Sequence, residues 1–293
     1  MKIVITGSLG NISKPLTIAL IQKKHQVIVI SSNIEKQKDI EALGAFAAIG
    51  SIEDVDFLTK TFTGADIVYC MTPPLFSKTD QIAYYRNLAI GYAKAIEAAK
   101  VKKGIYLSSY GAHLEKGTGY IAGSYHAEKV FNTLSNVTFT YIRPGYFYYN
   151  LFHFIGAIKY LGFIATNYGA NDKLLMVSPY EIAMAIVEEI ENNKPHSSVR
   201  YVASDDRTCN EVAQVLGNSI GIPTLEWKII SSEQMNSNLV NNGLPLENAQ
   251  MLVELGEATH SGVLRELYDQ EKPPLGKIKI EDFAEEFSLT FKS

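Results

Sequence analysis

Short β-branched runs alternate with helical periodicities through the first half of the chain. Lys2–Ile5, Gln26–Ile30, Ile67–Cys70, Ile105–Leu107 and Phe139–Ile142 are predicted strands. Thr17–Lys24, Ile34–Leu43, Val55–Thr61, Ala83–Ala99 and His126–Leu134 are predicted helices. The strand candidates are apolar along nearly their whole length rather than alternating with polar residues, as strands buried on both faces are. Strand–helix–strand units join parallel neighbours, so the pattern predicts an α/β protein with a doubly wound parallel sheet. Ala45–Ile49 is a further strand candidate.

Beyond Asn150 the periodicity loosens. Pro179–Ile190 reads as a helix and Val199–Ala203 as a strand, so residues 179–203 are expected to return to the sheet built by residues 1–150. Residues 151–293 otherwise form a small, mostly C-terminal α+β lobe on the substrate side, with Asn210–Leu216 and Pro245–Leu255 helical and Leu225–Ile230 extended. Tyr146–Ala165 is long and aromatic. Asn150, His153 and Lys159 would be costly in a bilayer core, so it reads as a buried or lobe-covering helix, not a membrane span. No repeat or low-complexity tract is present.

Composition excludes several classes. The 293 residues are 46% hydrophobic and carry a net charge of −4. Without a block of Lys or Arg, direct nucleic-acid binding is not expected. Cys70 and Cys209 are far apart and lack Cys or His neighbours at ligand spacing, which speaks against a disulfide framework or a metal site and fits a reducing compartment. The N-terminal apolar run is too short for a signal peptide and meets a glycine turn at once, so a cytoplasmic location is expected.

That turn carries the first chemistry. Thr6-Gly7-Ser8-Leu9-Gly10-Asn11-Ile12-Ser13 ends the first strand and opens the first helix. Gly7 permits the tight turn, Gly10 admits a pyrophosphate, and Ser13 stands where a third small residue packs helix on strand. Backbone N–H groups of Leu9, Gly10, Asn11 and Ile12 then face the phosphates. This is a Rossmann-type dinucleotide site; an ordinary strand–helix turn is the bland alternative. The second strand ends in Ser31-Ser32-Asn33, with no carboxylate for a free ribose hydroxyl. Ser32 and Asn33 can bond a 2′-phosphate and Lys36 or Lys38 can add charge, favouring NADP(H); NAD(H) stays open because no Arg clamp is present. Equally, Ser31–Asn33 can simply cap the next helix.

Ligands of such sheets lie beyond the carboxyl ends of the strands. Three ends bear suggestive residues: Thr72 and Pro73; Ser108; and Pro144, Tyr146 and Phe147. Punctuation between strand and loop explains each as well. Tyr146, Phe147, Tyr148, Tyr149, Phe152 and Phe154 can line a pocket for a flat molecule or fill the lobe core; Tyr146 and Phe147 are nearest the strand end.

Thr6-Gly7-x-x-Gly10, Ser108-Ser109-x-Gly111-Ala112 and Arg143-Pro144-Gly145, in that order, resemble the NmrA-like branch of the atypical short-chain dehydrogenases/reductases. Glu181-Ile182-Ala183, Glu211-Val212-Ala213 and Glu281-Asp282-Phe283-Ala284 extend the resemblance through nearly the whole chain. The resemblance implies a Rossmann domain, a smaller lobe and a cleft between them. It implies an NADPH-dependent reductase of a small quinone, carbonyl or aromatic substrate, or else a non-catalytic NADP(H) sensor acting through a protein partner. A nucleotide-sugar epimerase is a weaker third.

Tyr125 and Lys129 have the spacing of a general-acid Tyr and the Lys that lowers its pKa, on one helix face. The resemblance implies a second register. There Glu128 matches a Glu on the cofactor side, Ser124 falls at the Lys or His position and Tyr120 at the Tyr position. In that register the usual acid pair is absent. His113 and His126 can also give protons, but surface or capping roles suit them as well.

Overall fold

The computed structural model describes residues 1–75, 80–192 and 196–293. In chain order the first domain runs β1 (Lys2–Ile5), α1 (Ser13–Gln22), β2 (Gln26–Ser31), α2 (Lys36–Ala42), β3 (Phe46–Ile49), α3 (Val55–Phe62), β4 (Ile67–Cys70), α4 (Gln81–Ala98), β5 (Lys103–Leu107), α5 (Ile121–Phe131) and β6 (Thr138–Pro144). The lobe and the return to the sheet follow: β7 (Tyr146–Phe147), a 3₁₀ helix (Tyr148–Phe154), α6 (Ile155–Leu161), β8 (Ile164–Thr166), β9 (Lys173–Val177), α7 (Pro179–Glu191), β10 (Ser198–Val202), β11 (Asp205–Thr208), α8 (Cys209–Ile220) and β12 (Trp227–Ile229). The chain ends with α9 (Ser232–Asn241), α10 (Leu246–Ser261), a 3₁₀ turn (Val263–Arg265), α11 (Glu266–Glu271) and α12 (Ile280–Lys292).

Seven strands form one parallel sheet in the order β10-β6-β5-β4-β1-β2-β3. Each crossover helix covers a face of the strands it joins, which is why the strands are apolar on both sides. One core layer lies under α1 and α7 and includes Ile3, Ile5, Leu16, Ile105, Ile142 and Ile186. The other, under α3, α4 and α5, includes Val4, Leu58, Val68, Tyr92, Tyr106, Phe131 and Phe139. This is a Rossmann-type sheet. β10 comes from beyond residue 150 and pairs with β6, while α7 packs beside α1.

Two small sheets organise the lobe: β11-β9-β7, with β9 antiparallel to β11 and parallel to β7, and β12-β8. Its core packs Tyr148 and Phe152 against Phe283 and Phe287 of α12, and Phe154 meets Trp227 edge-on. Buried Asp205 ties three segments together, accepting hydrogen bonds from Tyr148 Oη at 2.8 Å and Ile280 N at 2.7 Å. Glu181, in the first turn of α7, accepts from Ser204 Oγ, Lys277 N and Ile278 N, and so fastens the C-terminal strap to the sheet domain.

Two sequence expectations are corrected. Tyr146–Ala165 is not one helix: it breaks into β7, the 3₁₀ helix, α6 and the start of β8, because its rings serve several neighbours rather than one stripe. Gly162, in left-handed conformation, closes α6. The helix expected at His126–Leu134 begins at Ile121, directly after the turn through Gly117 and Gly119. Among the described residues no helix is long and apolar enough to cross a membrane.

Candidate functional site

The carboxyl edge of the sheet brings together most of the sequence-predicted residues. Gly7 has φ +91°, and a Cβ there would lie 2.7 Å from Ser13 Oγ, so a side chain would push α1 off β1. Ser13 Oγ donates to Thr6 O at 2.9 Å, stitching the helix start to the strand end. Gly10 and Asn11 are exposed, and Ile12 stands at the N-cap of α1, where it has no oxygen to offer. The helix start therefore lacks a side-chain cap, but only part of its N–H set faces an anion. Pro15 has none, Lys14 N donates to Gly10 O at 3.0 Å, and Gly10 N, expected to face the phosphates, donates to Gly7 O at 3.1 Å, which leaves the N–H groups of Leu9, Asn11, Ile12 and Ser13. A Cβ on Gly10 would touch only Gly7 O, at 3.1 Å; the rest of its surroundings is open. These residues fit a dinucleotide pyrophosphate.

Beside the turn, Ser8 Oγ donates to Ser31 Oγ at 3.0 Å and Ser8 N to Ile30 O at 3.1 Å, holding the turn against the end of β2. Ser32 and Asn33 are exposed there. Asn33 Oδ1 accepts from Glu35 N at 2.9 Å, an Asx turn leading toward α2 rather than a cap on it. Lys36 and Lys38 are both exposed, and Lys36 pairs with Asp39 at 3.5 Å. Ser31 was legible only as a possible cap; its bond to Ser8 is a tertiary contact.

At the other strand ends, Thr72 Oγ1 and Tyr106 Oη hydrogen-bond at 3.2 Å, and Pro73 carries the chain off the sheet, half-buried. Pro144 closes β6, and its carbonyl accepts from Tyr110 N at 3.0 Å. The next residue, Gly145, has no room for a Cβ, which would fall 2.5 Å from Leu175 O. Tyr146 and Phe147 thus pair with Met176 and Val177 and lead into the lobe. Phe147 and Tyr149 rings lie 5.2 Å apart. Burial pushes the Tyr149 and Tyr120 phenols up to about 12. A cavity of about 630 Å³ opens between the start of α4 and α10, lined by Asp80, Gln81, Glu247, Gln250, Met251 and Glu254 among others.

The model of the NmrA-like family matches residues 1–285. The chain belongs to the NmrA-like family. The NAD(P)H azoreductase of Xenophilus azovorans is 23% identical over 257 residues, covering 86% of this chain and 85% of that protein. The NADPH-dependent quinone oxidoreductase of Escherichia coli, solved with NADPH, superposes with a TM-score of 0.80 at 21% identity, covering 99% of both chains. The triphenylmethane reductase of Citrobacter sp., solved with NADP(H), gives a TM-score of 0.77 at 21% identity over 98% of this chain and 99% of that one.

In this NmrA-like chain, α5 turns Ser124 and Glu128 inward, while Lys129 is exposed and Tyr125 and His126 are half-buried. The Lys129 ammonium sits over the Tyr125 ring, 5.2 Å from its centroid, and the His126 ring meets Tyr125 edge-on. Tyr125 and Lys129 are thus brought together with each other on the outer flank of the helix.

Inward lies an arrangement the sequence did not announce as a unit. Arg143 donates to Glu128 through Nε to Oε1 at 3.0 Å and Nη2 to Oε2 at 2.6 Å; Ser108 Oγ donates to the same Oε1 at 2.5 Å. Arg143 Nη1 also donates to Tyr201 Oη at 3.2 Å. Burial works against the Arg143 charge, but its bonds and attraction to Glu128 outweigh this and leave its pKa raised. An arginine, the one charged residue of β6, was the available signal, since a buried guanidinium must have a partner.

Two outcomes are expected. Glu128→Ala and Arg143→Ala each strand a buried charge and should each cost about 3–5 kcal/mol of unfolding free energy. The double variant Glu128→Leu/Arg143→Met should recover most of that loss in urea titrations; additive losses would contradict the pairing. His113 offers a second check. Among the described residues neither of its ring nitrogens has a hydrogen-bond partner, and its pKa is lowered, first by burial and then by Arg143, with Glu266 and Glu128 opposing. A depressed histidine stabilises the fold above its unfolded pKa of about 6.5 and loses that contribution as pH falls through the folded value. His113→Gln should therefore show a smaller drop in Tm between pH 7 and pH 5 than the wild type.

Proposed function

We propose that this chain is an NADP(H)-dependent reductase of a small, flat, electron-poor substrate, such as a quinone, carbonyl, azo or related aromatic compound. One observation carries the reading: an uncapped helix start behind an open Gly7-to-Ile12 turn, which is a built anion cradle at the carboxyl edge of a Rossmann-type sheet. Leu9, Asn11 and Ile12 hold the pyrophosphate through backbone N–H groups, Gly10, whose own N–H closes the turn onto Gly7 O, admits it by lacking a side chain, and Gly7 keeps the turn tight. Ser32 and Asn33 meet the 2′-phosphate, with exposed Lys38 adding positive charge. Thr72, Pro73, Ser108, Pro144, Tyr146 and Phe147 border the reactive end.

Bound NADPH supplies the hydride. The chain's residues bind, orient and shield. They furnish no strong acid: Tyr149 and Tyr120 are raised by burial, and Lys129 is turned to solvent beside Tyr125, so we read Tyr125 and Lys129 as outside the reaction. Substrates that take hydride readily and draw their proton from water suit such a site. Quinones, azo compounds and triphenylmethane dyes, the substrate classes in the names of the similar proteins, all qualify. The outward Lys129 also favours a second reading, a regulatory NADP(H)-binding protein without turnover that acts through a protein partner.

NADPH oxidation against a panel of quinones, azo dyes and aldehydes separates the two: turnover supports the reductase, and tight binding with no turnover supports the regulator. In isothermal titration NADPH should bind more tightly than NADH, because no carboxylate ends β2; an NADH preference would overturn the roles of Ser32 and Asn33. Gly10→Val should stay folded by circular dichroism yet bind NADPH at least about 10-fold more weakly, as its branched side chain fills the cradle.

A further inference from the structure

The proton of Ser108 is already committed. Its Oγ donates at 2.5 Å to Glu128 Oε1, and Glu128 is clamped from the other side by two Arg143 bonds at 3.0 and 2.6 Å. A carboxylate gripped by a guanidinium has acceptors only, so the direction of the Ser108 bond is fixed. A hydroxyl has one hydrogen and two lone pairs; with the hydrogen spent, only lone pairs remain to turn outward. The backbone gives no substitute donor, because Ser108 N is bonded to Ile142 O at 2.8 Å. Ser108 is 6% exposed at the end of β5, flanked by β4 and β6. It directly follows the last residue of β5, at the carboxyl edge where ligands of such sheets lie.

We infer that Ser108 is an acceptor-only contact, held in that polarity by Glu128 and Arg143, and that it binds the carboxamide N–H of the nicotinamide. The inference rests on the NADP(H) reading above and deepens it. The ligand's chemistry selects the group. Quinones, aldehydes and azo compounds present acceptors at their reacting atoms, which an acceptor hydroxyl cannot hold. The carboxamide is the neutral N–H donor at the reactive end of the dinucleotide. The same polarity removes Ser108 from the list of groups able to protonate a substrate.

The test compares binding, not turnover. NADP⁺ and its 3-acetylpyridine analogue differ in that a methyl replaces the carboxamide NH₂, while the carbonyl is kept. Dissociation constants are measured by isothermal titration for the wild type, Ser108→Ala and Ser108→Thr. The wild type should prefer NADP⁺ by roughly 10-fold, the scale of one well-made hydrogen bond. Ser108→Ala should reduce that ratio to about 1–2, and Ser108→Thr, which keeps the hydroxyl, should restore it. Should the alanine variant not fold, Ser108→Cys, whose sulfur is a poor acceptor, serves in its place with the same expected loss of preference. An unchanged ratio in the alanine or cysteine variant, with both dinucleotides bound, overturns the role of Ser108 and leaves the cofactor reading intact. Failure of the wild type to bind either dinucleotide overturns the cofactor reading itself, and this inference with it.

Discussion

The buried ion pair between Glu128 and Arg143 ties together four segments around the carboxyl edge of the sheet. It joins α5 to β6, reaches β5 through Ser108 and the edge strand β10 through Tyr201. Both partners are more than nine-tenths buried. A buried pair of this kind contributes little net stability, because desolvating two charges consumes most of their attraction. What it does supply is intolerance of misalignment. A shift of α5 by one residue would withdraw Glu128 and leave a guanidinium unpaired in the core. The helix rotation is thereby set, and with it the inward positions of Ser124 and Glu128 and the outward position of Lys129.

The sheet edge and the lobe are coupled through similarly concentrated polar contacts. Asp205 receives the phenol at the start of the 3₁₀ helix and the backbone at the start of α12, while Glu181 receives the strap just before it. Around these carboxylates the aromatic residues of the lobe pack in pairs with Phe283 and Phe287. The long aromatic segment after β6 is therefore mostly scaffold, and only its first residues, with Tyr149, stay near the strand ends. Gly145 allows this change of role within two residues, since the backbone passes β9 too closely for any side chain.

Chemically, the site pairs a well-built anion cradle with weak acids. Desolvation pushes the Tyr120 and Tyr149 phenols up, the Arg143 guanidinium is spent on Glu128, and Lys129 is turned to solvent. In the reductase we propose, such a site would orient the cofactor, admit an acceptor and leave proton delivery to water.

The sequence by itself determined the sheet, because apolar runs separated by helical periods have no other way to bury both faces. It determined the glycine turn as well: Gly7, Gly10 and Ser13 act through local backbone geometry, and local geometry is written in consecutive residues. It left the rotation of α5 undecided, since Tyr125–Lys129 and Ser124–Glu128 have the same four-residue spacing and either pair can face inward. Only packing chose between them, through an arginine 15 residues further along the chain and a tyrosine on a strand contributed from beyond residue 150. The polarity of Ser108 was beyond the sequence for the same reason. Which way a hydroxyl points its one proton depends on what stands opposite it in space, and that neighbour is fixed by the tertiary fold.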